Sequence, residues 1–174
     1  MSKYLGCGVL FVFLIFSGST FSQATTDSQL AAHYYQAKEY DKAAMYYQRL
    51  YEADHSKFHY NYLLKCLFEL ENYESAEKLV KGHSRLNPSD YAIRVDLGVV
   101  YSKQGKSKQA SKEYKKLIDK VIPNYESVNG LATAFVKIEE FDLALQTYKK
   151  GGSTLQGNYP FNIELAEVYA QKGD

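Results

Sequence analysis

Residues 97–114 read LGVVYSKQGKSKQASKEY. On either side of Gly105 apolar residues recur at three- and four-residue spacing, Leu97, Val100 and Tyr101 before it, Ala110, Tyr114 and Leu117 after it. That period belongs to two amphipathic helices, with the glycine as the break between them. Gly105-Lys106-Ser107 is also the tripeptide that closes a phosphate-binding loop. Such a loop needs a glycine five residues before the Gly-Lys pair, so that backbone N–H groups can curl around phosphate, and a buried strand leading in. Position 100 is Val, and the flanking sequence has a helical period. The stretch predicts a helical hairpin and no nucleotide site.

The hairpin recurs. Ala110 aligns with Ala43 in EYDKAAMYY, Ala76 in NYESAEKLV and Ala144 in EFDLALQTY, so the alanines step by 33, 34 and 34 residues. Nine residues before each stands Tyr34, Leu67, Tyr101 or Phe135, and four after it Tyr47, Val80, Tyr114 or Tyr148. Thirteen and twelve residues before each stands a pair: Leu30-Ala31, Leu63-Leu64, Leu97-Gly98 or Leu131-Ala132. A fixed period near 34 marks an array of helix pairs, each unable to bury its apolar face without its neighbours.

This set of positions resembles the tetratricopeptide repeat (TPR) family over almost all of residues 24–174. The resemblance implies an all-α fold, an α-solenoid of antiparallel helix pairs wound as a right-handed superhelix. Repeats are expected at about 24–56, 57–90, 91–124 and 125–158, with the first helix of a fifth at 159–174. Small residues are expected where backbones approach, with rings filling the adjoining gaps. The turn inside each pair calls for a residue tolerant of positive φ. Gly105 supplies it once, whereas Lys38, Glu71 and Glu139 hold that place elsewhere and depart from the pattern. Pro88 takes the end-of-repeat position, with Ser89 or Asp90 placed to cap the next helix. Gly151 and Gly152 are expected to end the fourth repeat's second helix early.

Residues 1–22 stand apart: Lys3, an apolar run from Leu5 to Phe16, then the small polar tail SGSTFS. This is the grammar of a secretory signal peptide, and a run of that length is short of the roughly 20 residues a bilayer span needs. Cleavage is expected after Ser22, or alternatively after Ala24, leaving 23–174 as the array. Membrane contact is then expected only through the uncleaved signal peptide. Loss of Lys3 leaves 20 basic and 20 acidic residues, a neutral chain that does not suit nucleic acid. Loss of Cys7 leaves Cys66 alone, so stability must come from packing.

Signals for chemistry are weak. His55 and His59 have the i,i+4 spacing of a zinc protease helix, but Ser56 stands where the Glu is required. Ser75 to Lys78 matches the S-x-x-K spacing of serine acyl-transferases, yet it contains the packing alanine Ala76 and lacks the companion motifs. Cys66 sits mid-helix as a small apolar residue. No cofactor, no metal and no catalytic residue is predicted. Of the tyrosines, Tyr91, Tyr125 and Tyr159 recur at 34 and are expected to form a ladder that packs inter-repeat turns.

The resemblance further implies a concave groove along the first helices that holds a partner protein's peptide or helix. The positions carried over are Ser28, Ala32, Tyr35 and Gln36; Asn61, Lys65, Phe68 and Glu69; Val95, Val99, Ser102 and Lys103; and Asn129, Thr133, Val136 and Lys137. Asn61, Lys65 and Asn129 are similar to sets with which some relatives clamp a C-terminal carboxylate, but Ala32, Val95 and Val99 stand where a clamp needs polar groups. The reading is an exported, non-enzymatic interaction scaffold, periplasmic, associated with the cell envelope or secreted. The alternative is a structural subunit of an envelope assembly or secretion machinery that docks by its convex face. The segment YPFNIELAEVYAQKGD reads as a first helix without its second, so the chain is expected to begin a longer array; Glu164, Glu167 and Gln171 would equally suit a polar cap.

Overall fold

The computed structural model describes residues 19–155 and 161–173. Among the described residues there are nine helices and no strand: α1 (Ser19–Gln36), α2 (Tyr40–Asp54), α3 (Lys57–Glu69), α4 (Tyr73–Leu86), α5 (Tyr91–Lys103), α6 (Ser107–Asp119), α7 (Tyr125–Val136), α8 (Phe141–Thr154) and α9 (Asn162–Lys172). The chain is an α-solenoid of antiparallel helix pairs, and α3, α5 and α7 open at the residues the period predicts. Residues 1–18, which hold most of the expected signal peptide, lie outside the described residues, as do Gln156, Tyr159 and Pro160. α1 itself starts at Ser19 and runs across both expected cleavage points.

Short polar side chains start four of the helices. Ser56 accepts the His59 N–H at 3.2 Å, Asn72 that of Ser75 at 3.1 Å, and Asn124 that of Ser127 at 2.8 Å. Asp90 accepts from Ala92 and Ile93, taking up two of the N–H groups that a helix start leaves unpaired.

The turn within each pair is built identically four times. Lys38, Glu71, Gly105 and Glu139 all have positive φ, at 59°, 54°, 74° and 62°. The next residue's N–H returns to the framework carbonyl of Tyr34, Leu67, Tyr101 or Phe135 at 2.8–3.0 Å. The left-handed residue's own N–H bonds Tyr35, Phe68, Ser102 or Val136. This double closure is the Schellman motif, and only one repeat gives it the glycine it favours. The other three turns hold a side chain where L-residues pay about 1–2 kcal/mol.

The packing alanines Ala43, Ala76, Ala110 and Ala144 are at most 2% exposed, and Tyr47, Val80, Tyr114 and Tyr148 four residues on are all buried. The small position of the first helix is equally tight. A Cβ on Gly98 would lie 2.0 Å from Cε1 of Tyr114. The equivalent positions in the other repeats are Ala31 and Tyr47, Ala132 and Tyr148, and Leu64 and Val80, so the small residue of the first helix accompanies the ring of the second.

Gly151 and Gly152 do not end α8, which continues to Thr154. A Cβ on Gly151 would meet Val128 Cγ1 at 2.4 Å, so this glycine lets α8 close onto α7. Packing outweighs the roughly 1 kcal/mol that glycine costs inside a helix.

The apolar interior forms two clusters. One joins α1 to α4 with Ile93 and Val100 of α5; the other joins α6 to α9 with Tyr91 and Val95 of the same helix. Polar ties cross the repeat boundaries. Lys57 pairs with Asp90, the Tyr60 hydroxyl donates to Asp96 at 2.7 Å, and Lys150 Nζ donates to the Ile118 carbonyl at 2.9 Å. Tyr91 accepts the Ile122 N–H at 3.3 Å, and Tyr125 stacks on Phe161 with centroids 5.2 Å apart and donates to Glu164. Of the two described members of the expected ladder, Tyr91 therefore holds the inter-repeat turn at Ile122 and Tyr125 packs on the start of the following helix.

Gly98→Ala is expected to lower stability by about 1–3 kcal/mol through overpacking. Tyr114→Val in the same chain should recover much of that loss, a coupling that denaturant titration of the single and double variants measures. Glu71→Gly acts in the opposite direction, raising stability by up to about 1 kcal/mol because it relieves a left-handed residue. A lower unfolding midpoint would show that the Glu71 side chain contributes more than its backbone costs.

Candidate functional site

The groove positions carried over from the sequence fall on α1, α3, α5 and α7, and their surroundings divide the array in two. On α1 and α3 the setting is aromatic. Tyr35, half-buried near the end of α1, meets the Tyr62 ring edge-on with centroids 5.0 Å apart. Tyr62 stacks on Tyr47 at 5.0 Å and touches Phe58 at 4.9 Å, and Phe58 remains 58% exposed. Lys65 holds its ammonium 5.3 Å from the centre of the Tyr62 ring, and Lys103 reaches from α5 to 5.2 Å over Phe68. Both contacts are cation–π pairs, in which a solvated charge rests on a ring face. Gln36, Asn61 and Glu69 are exposed beside them, and the Glu69 charge helps raise the Tyr35 phenol, after the larger effect of burial.

On α5 and α7 the setting is hydroxyl and amide. The Tyr148 hydroxyl donates to Asn129 at 2.7 Å and faces the Thr133 side chain, and Ser102 faces the Tyr114 hydroxyl. Burial pushes the Tyr114 phenol up to about 12, so these hydroxyls stay protonated donors. Lys137 is exposed just past α7. Asn129 and Thr133 are thus committed to the tyrosine that packs their own repeat, while Lys65 rests on Tyr62 and Lys103 on Phe68.

Val95 is a correction. The resemblance placed it in the groove, but it is 1% exposed and belongs to the second core cluster. α5 carries buried residues on two sides, which narrows its groove face to Val99, Ser102 and Lys103. The sequence reading also passed over Phe58 and Tyr62. Their i,i+4 spacing on α3, beside Lys65 and outside the framework positions, was the available signal.

Side chains considered for chemistry take structural roles. His55 ends α2 in the left-handed conformation, whereas His59 lies in the first turn of α3 with Nδ1 3.0 Å from both Ser56 Oγ and Asp54. Cys66 is fully buried, and its thiol is pushed up to about 11 by that burial. Gly105 closes α5 and Ser107 opens α6.

A buried polar cluster joins repeats one, two and three. The Tyr51 hydroxyl lies 3.1 Å from His83 Nδ1, His83 stacks on Tyr60 at 4.2 Å, and Tyr60 donates to Asp96. Burial lowers the His83 imidazole and raises the Asp96 carboxyl to about 6, against the Tyr60 hydrogen bond that opposes it. Among the described residues no group of three His, Cys, Asp or Glu side chains could hold a metal ion, and no helix is long and apolar enough to cross a membrane.

The chain is similar in structure to the MamA protein, with 17% identity, 88% of this chain and 84% of that chain covered, and a TM-score of 0.48. It is also similar to the TPR2AB domain of yeast Sti1 in its pHSP90 complex, with 15% identity, coverage of 87% and 84%, and a TM-score of 0.41. A third is TTC0263, a thermophilic TPR protein of Thermus thermophilus, with 17% identity, coverage of 86% and 98%, and a TM-score of 0.33. No family model and no curated protein matches the chain.

A carboxyl raised in the folded state favours folding below its unfolded value near 3.8, and that contribution is lost as pH rises through about 6. Asp96→Asn keeps an acceptor for Tyr60 and removes the charge. Its stability relative to the parent is therefore expected to increase by about 1–2 kcal/mol between pH 4.5 and pH 8. The lowered His83 titrates in both proteins and cancels in the difference. A pH-independent difference would remove the buried charge as its cause.

Proposed function

We propose that this chain is an exported, non-enzymatic scaffold that binds another protein, holding a peptide or helix along the first helices of its repeats. The observation that carries the reading is the ring and lysine surface of α1, α3 and α5. Phe58 lies open there and Tyr35 and Phe68 half-open, with Lys65 and Lys103 resting on neighbouring rings. Aromatic side chains lose little rotamer entropy on binding and anchor interfaces strongly. Lysines on ring faces remain available to carboxylates. The complementary partner is an extended or helical segment with apolar side chains and acidic neighbours.

Export rests on residues 1–22, and the partner then belongs to the periplasm, the cell envelope or the cell exterior. A larger envelope assembly is compatible with the same groove.

The test is recovery of partner from an envelope extract on the immobilised mature chain, identified by mass spectrometry. Tyr62→Ser with Lys65→Glu should reduce the recovered partner by about tenfold or more, as loss of a ring anchor and a charge contact implies. Lys112→Glu, on the exposed side of α6, should leave recovery unchanged. The opposite pattern would move the interface to the second helices. N-terminal sequencing of the exported product is expected to begin at Gln23 or Thr25.

A further inference from the structure

Away from the groove, where α5 meets the second helices α4 and α6, lies a cavity of about 280 Å³. Its deepest residues are apolar: Val80 and Leu117 are buried and Leu97 is half-buried. Around them stand four cations, Lys81, Arg85, Arg94 and Lys116, with one carboxylate, Glu113.

The kind of cation is as informative as the number. The chain has three arginines against eighteen lysines, and two of the three line this cavity. The lysines are neutralised along their own helices, Lys81 by Glu77 at 2.6 Å and Lys116 by Glu113 at 3.4 Å. Neither Arg85 nor Arg94 has a carboxylate partner among the described residues. Arg94 instead lies 5.3 Å over the Tyr91 ring, a contact that leaves its N–H donors without an anionic partner. A planar fork of N–H donors matches the oxygens of a carboxylate or phosphate in pairs, which an ammonium cannot do. Ser84 adds a hydroxyl in the same lining.

We propose that this cavity binds a multivalent oxyanion, a polycarboxylate or a phosphate ester, through the guanidinium groups of Arg85 and Arg94. The apolar residues receive the carbon skeleton of the ligand, and because Glu77 and Glu113 hold the two lysines, the guanidinium groups are the cations left to meet its charge. Arg85 is in the last turn of α4 and Arg94 in the first turns of α5, so an occupant bridges repeats two and three. The groove residues Ser102 and Lys103 of α5 are not part of this lining.

Calorimetric titration of the purified protein with citrate and with pyrophosphate, at constant ionic strength, tests the proposal. Saturable one-site binding of either anion is expected, weakened about tenfold or more by Arg85→Ala and by Arg94→Gln, while Lys112→Ala and Lys65→Glu leave it unchanged. Preference for citrate assigns the site to polycarboxylates, and preference for pyrophosphate to phosphate esters. Arg85 is exposed, so its variant reads out the site even if Arg94→Gln perturbs folding. The proposal is overturned by the absence of saturable binding to both anions, by binding that Arg85→Ala does not weaken, or by equal weakening in the Lys112→Ala control.

Discussion

The Tyr114 ring occupies the space that a side chain on residue 98 would need. Two helices can approach this closely only where one of them gives up its side chain, and the ring that enters fixes both separation and register. The other repeats meet the same constraint with different residues, alanine against tyrosine or leucine against valine. Where the second helix brings a tyrosine the first helix holds glycine or alanine, and where it brings valine the first helix holds leucine. Once the constraint is satisfied, the chain reverses after each first helix, and the Schellman closure follows even where the reversing residue is lysine or glutamate.

That order of precedence explains which features the sequence disclosed. The period, the packing alanines, the turn at Gly105 and the cap at Asp90 are each tied to one local requirement, and a residue type announces each. Gly151 misled because glycine has two uses, ending a helix and admitting a neighbour, and only the position of Val128 decides between them. Val95 misled because a groove position carried over from a general pattern takes no account of a helix buried on two sides.

Of the candidate surface, the sequence offered positions and not their neighbours. Tyr35, Lys65, Phe68 and Lys103 were carried over from the resemblance, and the rings beside Tyr35 and Lys65, Tyr62 and Phe58, required coordinates. Asn129 and Thr133 were also placed by register, but their engagement by Tyr148 was not, since it depends on how far a phenol reaches across a helix pair. The two surfaces differ in chemistry, one of rings and ammonium groups on the first helices, the other with the guanidinium groups of Arg85 on α4 and Arg94 on α5, and they share no side chain.

The sharing of α5 between the two hydrophobic clusters has a consequence for the order in which the array comes apart. Repeat arrays are stabilised by nearest-neighbour interfaces, so disorder enters from the ends and travels inward. Loss of either cluster leaves α5 still covered on one side by the other, through Ile93 and Val100 or through Tyr91 and Val95. Its backbone amides are therefore exposed to exchange with solvent only when both halves have opened. α5 is thus the element common to both clusters, and among the described helices its amide protons are expected to be the slowest to exchange.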